Sequence, residues 1–72
     1  MSVKAGNVYR VVKKGGFFHS FSVGTVITLK ELSKTDDEIH LFTGLCSYHT
    51  PARVIEQWVP ASDLEFISGG FA

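Results

Sequence analysis

Cysteine is nearly missing from this 72-residue chain: Cys46 stands alone, so no internal disulfide can form. A free thiol in an unstapled domain fits a reducing compartment, and the expected location is the cytoplasm. No apolar run approaches the roughly 20 residues that a membrane-spanning helix needs. The opening MSVKAGNVYR also lacks the apolar stretch of a secretory signal. Net charge is absent as well, because seven basic and seven acidic residues cancel. The chain as a whole is therefore not drawn to phosphate backbones or anionic lipid, and only a local basic patch could be. Nowhere does an apolar period of 3.6 hold for a dozen residues, which excludes a substantial helix. There is no internal repeat and no linker.

What is present is enough for one core. A chain of this length buries only about 60% of the surface its unfolded form exposes, so its apolar residues must serve a single hydrophobic centre. At 44% hydrophobic residues that centre is affordable and disorder is not expected. Residues 1–67 are expected to form a single domain, with 68–72 as a flexible tail.

The most structured stretch runs from Phe21 to Leu45. Thr25 to Leu32 alternates, with Ile27 and Leu29 on one face and Thr28 and Lys30 on the other, as a half-buried strand does. Ser33 to Asp37 has turn composition, since Ser, Thr and Asp side chains can bond their own backbone. Asp36, Asp37 and Glu38 thus read as a solvated hairpin tip. Glu38 to Leu45 returns as a second strand, with Ile39, Leu41 and Thr43 opposed to His40 and Phe42. Val8 to Val12 and Val54 to Val59 are further strand candidates. Pro60 ends the latter, and Ser62 to Glu65 reads as one helical turn capped by Ser or Asp. Phe66-Ile67 returns to the sheet. Lys13 to Val23 is a long loop rich in aromatics, and 46–53 is a second loop containing Pro51. The expected fold is all-β, a small five-stranded barrel with one short 3₁₀ turn near the C-terminus.

This order of features resembles an SH3 domain. Tyr9 stands where the family has its first-strand Tyr, and Gly24-Thr25-Val26-Ile27-Thr28-Leu29 resembles the G-x-x-I-x-V strand. Leu41-Phe42-Thr43-Gly44 falls at Trp-Trp-x-Gly, and Val59 to Ile67 resembles the C-terminal signature. The resemblance covers about residues 8–67 in short pieces and implies an SH3-like barrel. It does not imply recognition of proline-rich peptides. Two aromatic groove positions are Leu41 and Leu64 here, and Lys13 to Val23 contains no acidic residue. Tyr9 and Pro60 are the groove positions that remain. In size and in the pattern KAGNVYRVV…VGTVITL the chain also resembles short SH3-like proteins of phages and other mobile elements, many of which bind a host protein.

Phe17, Phe18, His19 and Phe21 form the most suggestive cluster. They either present an aromatic patch to a partner or close an end of the barrel, where at least one Phe is expected to be buried. Trp58 is expected in the core or half in it; exposed beside Tyr48 and His49, it becomes a hot-spot residue. Cys46 and His49 are two metal-ligand types three apart, but a structural zinc site needs a second close pair that the chain lacks. As a nucleophile pair they have no orienting group and no oxyanion site. Gly15-Gly16 is not a phosphate loop, because the G-x-x-x-x-G-K-S/T spacing is missing.

The expected function is therefore non-enzymatic. It is a protein-binding module that docks on a cellular protein through Phe17, Phe18, His19, Phe21, Tyr48 and Trp58 and modulates or inhibits it, without cofactor or metal. A second expectation is a nucleic-acid-associated barrel using Arg10, Lys13, Lys14 and Arg53, disfavoured by the zero net charge. A third is a homo-oligomer that pairs through edge strands or the Phe71 tail.

Overall fold

The computed structural model describes residues 4–14, 19–46 and 51–69. Five strands follow one another: β1 (Val8–Val11), β2 (Val26–Glu31), β3 (Ile39–Cys46), β4 (Arg53–Pro60) and β5 (Leu64–Ser68), with a 3₁₀ turn at Ala61–Asp63 between the last two. They form one antiparallel sheet in the order β4-β3-β2-β1-β5. No α-helix occurs among the described residues. The all-β architecture and the single 3₁₀ turn agree with the sequence reading. The ladder itself is open, since β4 and β5 are its two edges.

Strand boundaries moved for identifiable reasons. β1 stops at Val11 because the amides of Val12 and Lys13 turn to the carbonyl of Asp63, at 2.8 and 3.3 Å. Pro60 was expected to end β4 from outside and is instead its last residue. The Ala61 amide donates to the Glu38 carbonyl at 2.6 Å, and the ladder pairs His40 with Val59 and Phe42 with Gln57. Alternation of hydrogen-bonded positions then turns Pro60 away from β3, where its missing N–H removes nothing from the ladder. The helical turn expected at Ser62 to Glu65 is shifted to Ala61–Asp63. Its N-cap is Pro60 and no side chain caps it. Asp63 does not cap because its side chain points into the protein. Ser68, assigned above to the tail, belongs to β5.

The polar turn is built as its composition implies. Ser33 Oγ accepts from the amides of Thr35 and Asp36, and Asp36 Oδ1 accepts from the amide of Glu38. At the other end of β2, Gly24 has φ 95°, a conformation that costs a Cβ-bearing residue strain. Its amide donates to the Val11 carbonyl at 2.7 Å, so the turn delivers β2 onto β1.

One face of the sheet makes the core. Val11, Phe21, Ile27, Leu29, Phe42 and Val59 are its buried centre, with Tyr9, Ile55 and Leu64 packed against it. Tyr9 meets Phe42 and Phe66 edge-to-face, with centroids 5.4 and 5.6 Å apart, the geometry the ring quadrupole favours. On β3 it is His40 and Phe42 that face inward. The His40 ring is admitted because its Nδ1 accepts the Ser33 amide at 3.1 Å. Gly44 pairs with Ile27 of β2, whose side chain fills the space a side chain at 44 would need. A methyl group there would lie 2.5 Å from Ile27 Cγ2 and 3.1 Å from Phe21 Cε1.

Candidate protein-binding surface

The buried end of the long loop is fixed from three directions. His19 Nε2 lies 3.3 Å from Asp63 Oδ2, with both side chains buried. A proton on Nε2 lets the ring donate to the carboxylate and leaves Nδ1 as an acceptor; Nδ1 is buried and has no hydrogen-bond partner among the described residues. The Ser20 amide donates to Gln57 Oε1, while Gln57 Nε2 donates to Ser20 Oγ at 3.1 Å. The Cys46 thiol donates weakly to the Ser20 carbonyl at 3.7 Å. Phe21 then drops into the core with no exposed surface.

These contacts correct part of the expected contact surface. His19 and Phe21 are buried, the first held by Asp63 and the second by Gly44, Ile27 and the other core residues, so neither is open to a partner. Of the two roles weighed for the cluster, exposed patch or burial, Phe21 takes burial. Phe17, Phe18 and Tyr48 lie outside the described residues, as does His49. Trp58, expected in the core or half in it, is 45% exposed. Its position in β4 has the outward parity, between inward-facing Gln57 and Val59.

The outward side chains line up across strands. Leu41 stands opposite Trp58, Thr43 opposite Glu56 and Leu45 opposite Val54. Thr28 pairs with Thr43 and Ile27 with Gly44, and the same register carried one residue past Ile27 sets Val26 beside Leu45. Arg10 pairs with Val26 and with Glu65. The outer face therefore carries an apolar row of Val26, Leu45 and Val54, which are 51%, 53% and 68% exposed. A second row pairs Leu41 with Trp58. Between them runs a polar row of Thr28, Thr43 and Glu56, with Glu56 in an ion pair to Lys30.

The basic residues do not gather. Arg10 is held by Glu65 at 3.5 Å, and Arg53 begins β4, three strands away in the sheet order, or about 14 Å at ordinary strand spacing. Lys13 and Lys14 are exposed just beyond β1. No group of three or more potential metal ligands occurs among the described residues. Cys46, His19 and His40 are all buried, each in contact with main chain or Asp63 rather than with one another.

The parity of β3 could be read from sequence, but its inward set could not, because Ile39 and Leu41 are as apolar as Phe42. The outer rows were missed for the same reason. Their signal is the alternation Val54, Glu56, Trp58, which makes one face of β4 apolar at both ends. Comparison with protein-family models, with characterised proteins and with solved structures finds no match for this chain.

Proposed function

We propose that this chain is a small SH3-like barrel acting as a non-enzymatic protein-binding module, one that docks on a cellular protein and modulates it by occlusion. The strand order supports the SH3-like reading, because β1 lies between β2 and β5 and the chain otherwise meanders from β2 to β4. The 3₁₀ turn connects the two edge strands along the chain and is pinned to their neighbours: the Ala61 amide donates to Glu38, just before β3, and the Asp63 carbonyl accepts from Val12, just beyond β1.

The observation that carries the docking role is the exposure of Trp58 on a face that also exposes Val54, Leu45 and Val26. A half-exposed Trp costs the free protein apolar hydration and is repaid when a partner covers it. Phe17, Phe18 and Tyr48 are proposed to join Trp58 as aromatic anchors, with Lys13 and Lys14 as a basic rim. The resemblance to phage-encoded proteins makes a host protein the natural target, and the cytoplasm the place of action.

The test is capture of partners from lysate by tagged wild-type protein and by Trp58→Ser, each with and without nuclease. The expected result is one stoichiometric protein partner that survives nuclease and is lost with Trp58→Ser. A partner held equally by the variant overturns the assignment of this face. Partners that vanish with nuclease return the nucleic-acid reading.

A further inference from the structure

β4 is an edge of the sheet, and no strand among the described residues pairs with its outer side. Its eight residues pair with β3 in unbroken register from Arg53–Cys46 to Pro60–Ile39. Hydrogen-bond parity assigns the main-chain groups of Arg53, Ile55, Gln57 and Val59 to β3, and points those of Val54, Glu56 and Trp58 off the sheet. The opposite edge is guarded differently. β5 has five residues, and its register with β1 shifts between Val8 and Tyr9, leaving Ile67 as the extra residue. Short strands, bulges, charged side chains (lysine above all) and proline are how sheets discourage pairing at an open edge; on β4 the guards are Glu56 in the middle and Pro60 at the end. β4 has no bulge and no lysine, and its outward positions are Val, Glu, Trp and finally Pro.

The outward pattern of β4 is self-complementary. An antiparallel strand pair centred on Glu56 sets Val54 opposite Trp58 of a second copy, and Trp58 opposite its Val54. Both residues have their main-chain groups pointing off the edge, as that pairing needs. The outer rows then join: Val26, Leu45 and Val54 of one copy run on into Trp58 and Leu41 of the other, and the polar rows meet each other at the axis. There the two Glu56 carboxylates meet as a like-charge pair, which is unfavourable by itself and is offset by the Lys30 ammonium that each carboxylate holds in its own chain. Nor does overall charge oppose association, since the net charge is zero.

We infer that the chain forms a two-fold homodimer by antiparallel pairing of β4 with β4 of a second copy, centred on Glu56. The side chains of β4 stand perpendicular to the new sheet. The outer faces of both copies therefore stay open and carry two symmetry-related apolar stripes, one on each side of the polar centre, which doubles the surface offered to a protein partner.

Sedimentation equilibrium of the full chain over a range of concentrations tests this, together with amide hydrogen exchange. The expected result is a monomer–dimer equilibrium in which the amides of Val54, Glu56 and Trp58 gain protection as concentration rises. Val54→Lys places a lysine on the edge at an exposed position and is expected to weaken the dimer about tenfold or more. Lys30→Glu surrounds the axis with four carboxylates and should weaken it by a similar factor, while Lys30→Glu with Glu56→Lys restores it. Lys30 and Glu56 are both exposed, so this pair of variants decides even if Val54→Lys unfolds. A monomer at every concentration overturns the proposal. So does a dimer that neither charge change affects, or one that leaves those three amides unprotected. Partner capture is read separately, and a monomer that still captures its partner removes the dimer alone.

Discussion

The carboxylate of Asp63 lies 3.3 Å from Nε2 of His19, and neither side chain reaches solvent. Residues 44 positions apart thus tie the loop before β2 to the turn before β5. Asp63 serves that junction twice, since its carbonyl also holds the amides of Val12 and Lys13. Replacing His19 by Ala takes a buried carboxylate's ring partner away without removing the carboxylate, and is expected to cost about 3 kcal/mol. Asp63→Asn, which keeps shape and an acceptor, is expected to cost less, roughly 1–2 kcal/mol. Urea unfolding of the two single variants and the double variant checks this. A double variant that costs the plain sum of the singles would show that the two groups are neighbours without being coupled.

Gly44 sets how closely β3 approaches the loop and β2. Gly44→Ala introduces a methyl at 2.5 Å from Ile27 Cγ2, and overpacking of that kind is expected to cost about 1–3 kcal/mol. Ile27→Ala removes the obstructing methyl but leaves a cavity, with its own cost of about 2–5 kcal/mol. In the double variant the new methyl occupies part of that cavity. The expected outcome in thermal or urea unfolding is a double variant less destabilised than the sum of the two.

The strands were legible in the sequence because β-branched alternation is a local signal: Ile27 and Leu29 face inward and Thr28 and Lys30 outward, as their pattern implies. The turn after β2 was legible too, since Ser33 and Asp36 bond the amides their chemistry suits. The buried polar junction was not. Nothing in the spacing of His19 and Asp63, or of Ser20 and Gln57, marks them as partners, because tertiary pairing leaves no local pattern. Phe21 is buried and Trp58 half exposed, a choice the sequence left open for each of them, for a related reason. Aromatic residues suit a core and an interface equally, and composition cannot choose between them.

Gln57 occupies an inward position of β4 and meets Ser20 twice, accepting from its amide and donating to its hydroxyl. Gln57→Leu keeps much of the volume but strands the Ser20 amide. The expected loss is about 1 kcal/mol, toward the low end of the cost of an unsatisfied donor because the Ser20 amide is only partly buried. Amide exchange supplies the local readout: Ser20 should exchange faster in the variant while Leu29 and Phe42, in the middle of the sheet, keep their protection relative to global stability. Equal acceleration at all three sites would mean that Gln57 contributes only to global stability.

The division between inward and outward aromatics gives the sharpest contrast. Phe21 is fully buried and Trp58 is not, so equivalent substitutions must act on different quantities. Phe21→Ser is expected to destabilise the fold by about 3–5 kcal/mol through loss of buried surface and the cavity left behind, enough to unfold a domain of this size. Trp58→Ser is expected to shift stability by less than about 1 kcal/mol, because half of the ring is already hydrated and its neighbour Leu41 stays in place. In partner binding the order reverses, with Trp58→Ser costing about 2 kcal/mol or more. Urea unfolding and a titration against the captured partner measure the two effects on the same samples. If Trp58→Ser unfolds the protein as Phe21→Ser does, the exposed face is part of the core's support and the docking surface must be sought elsewhere.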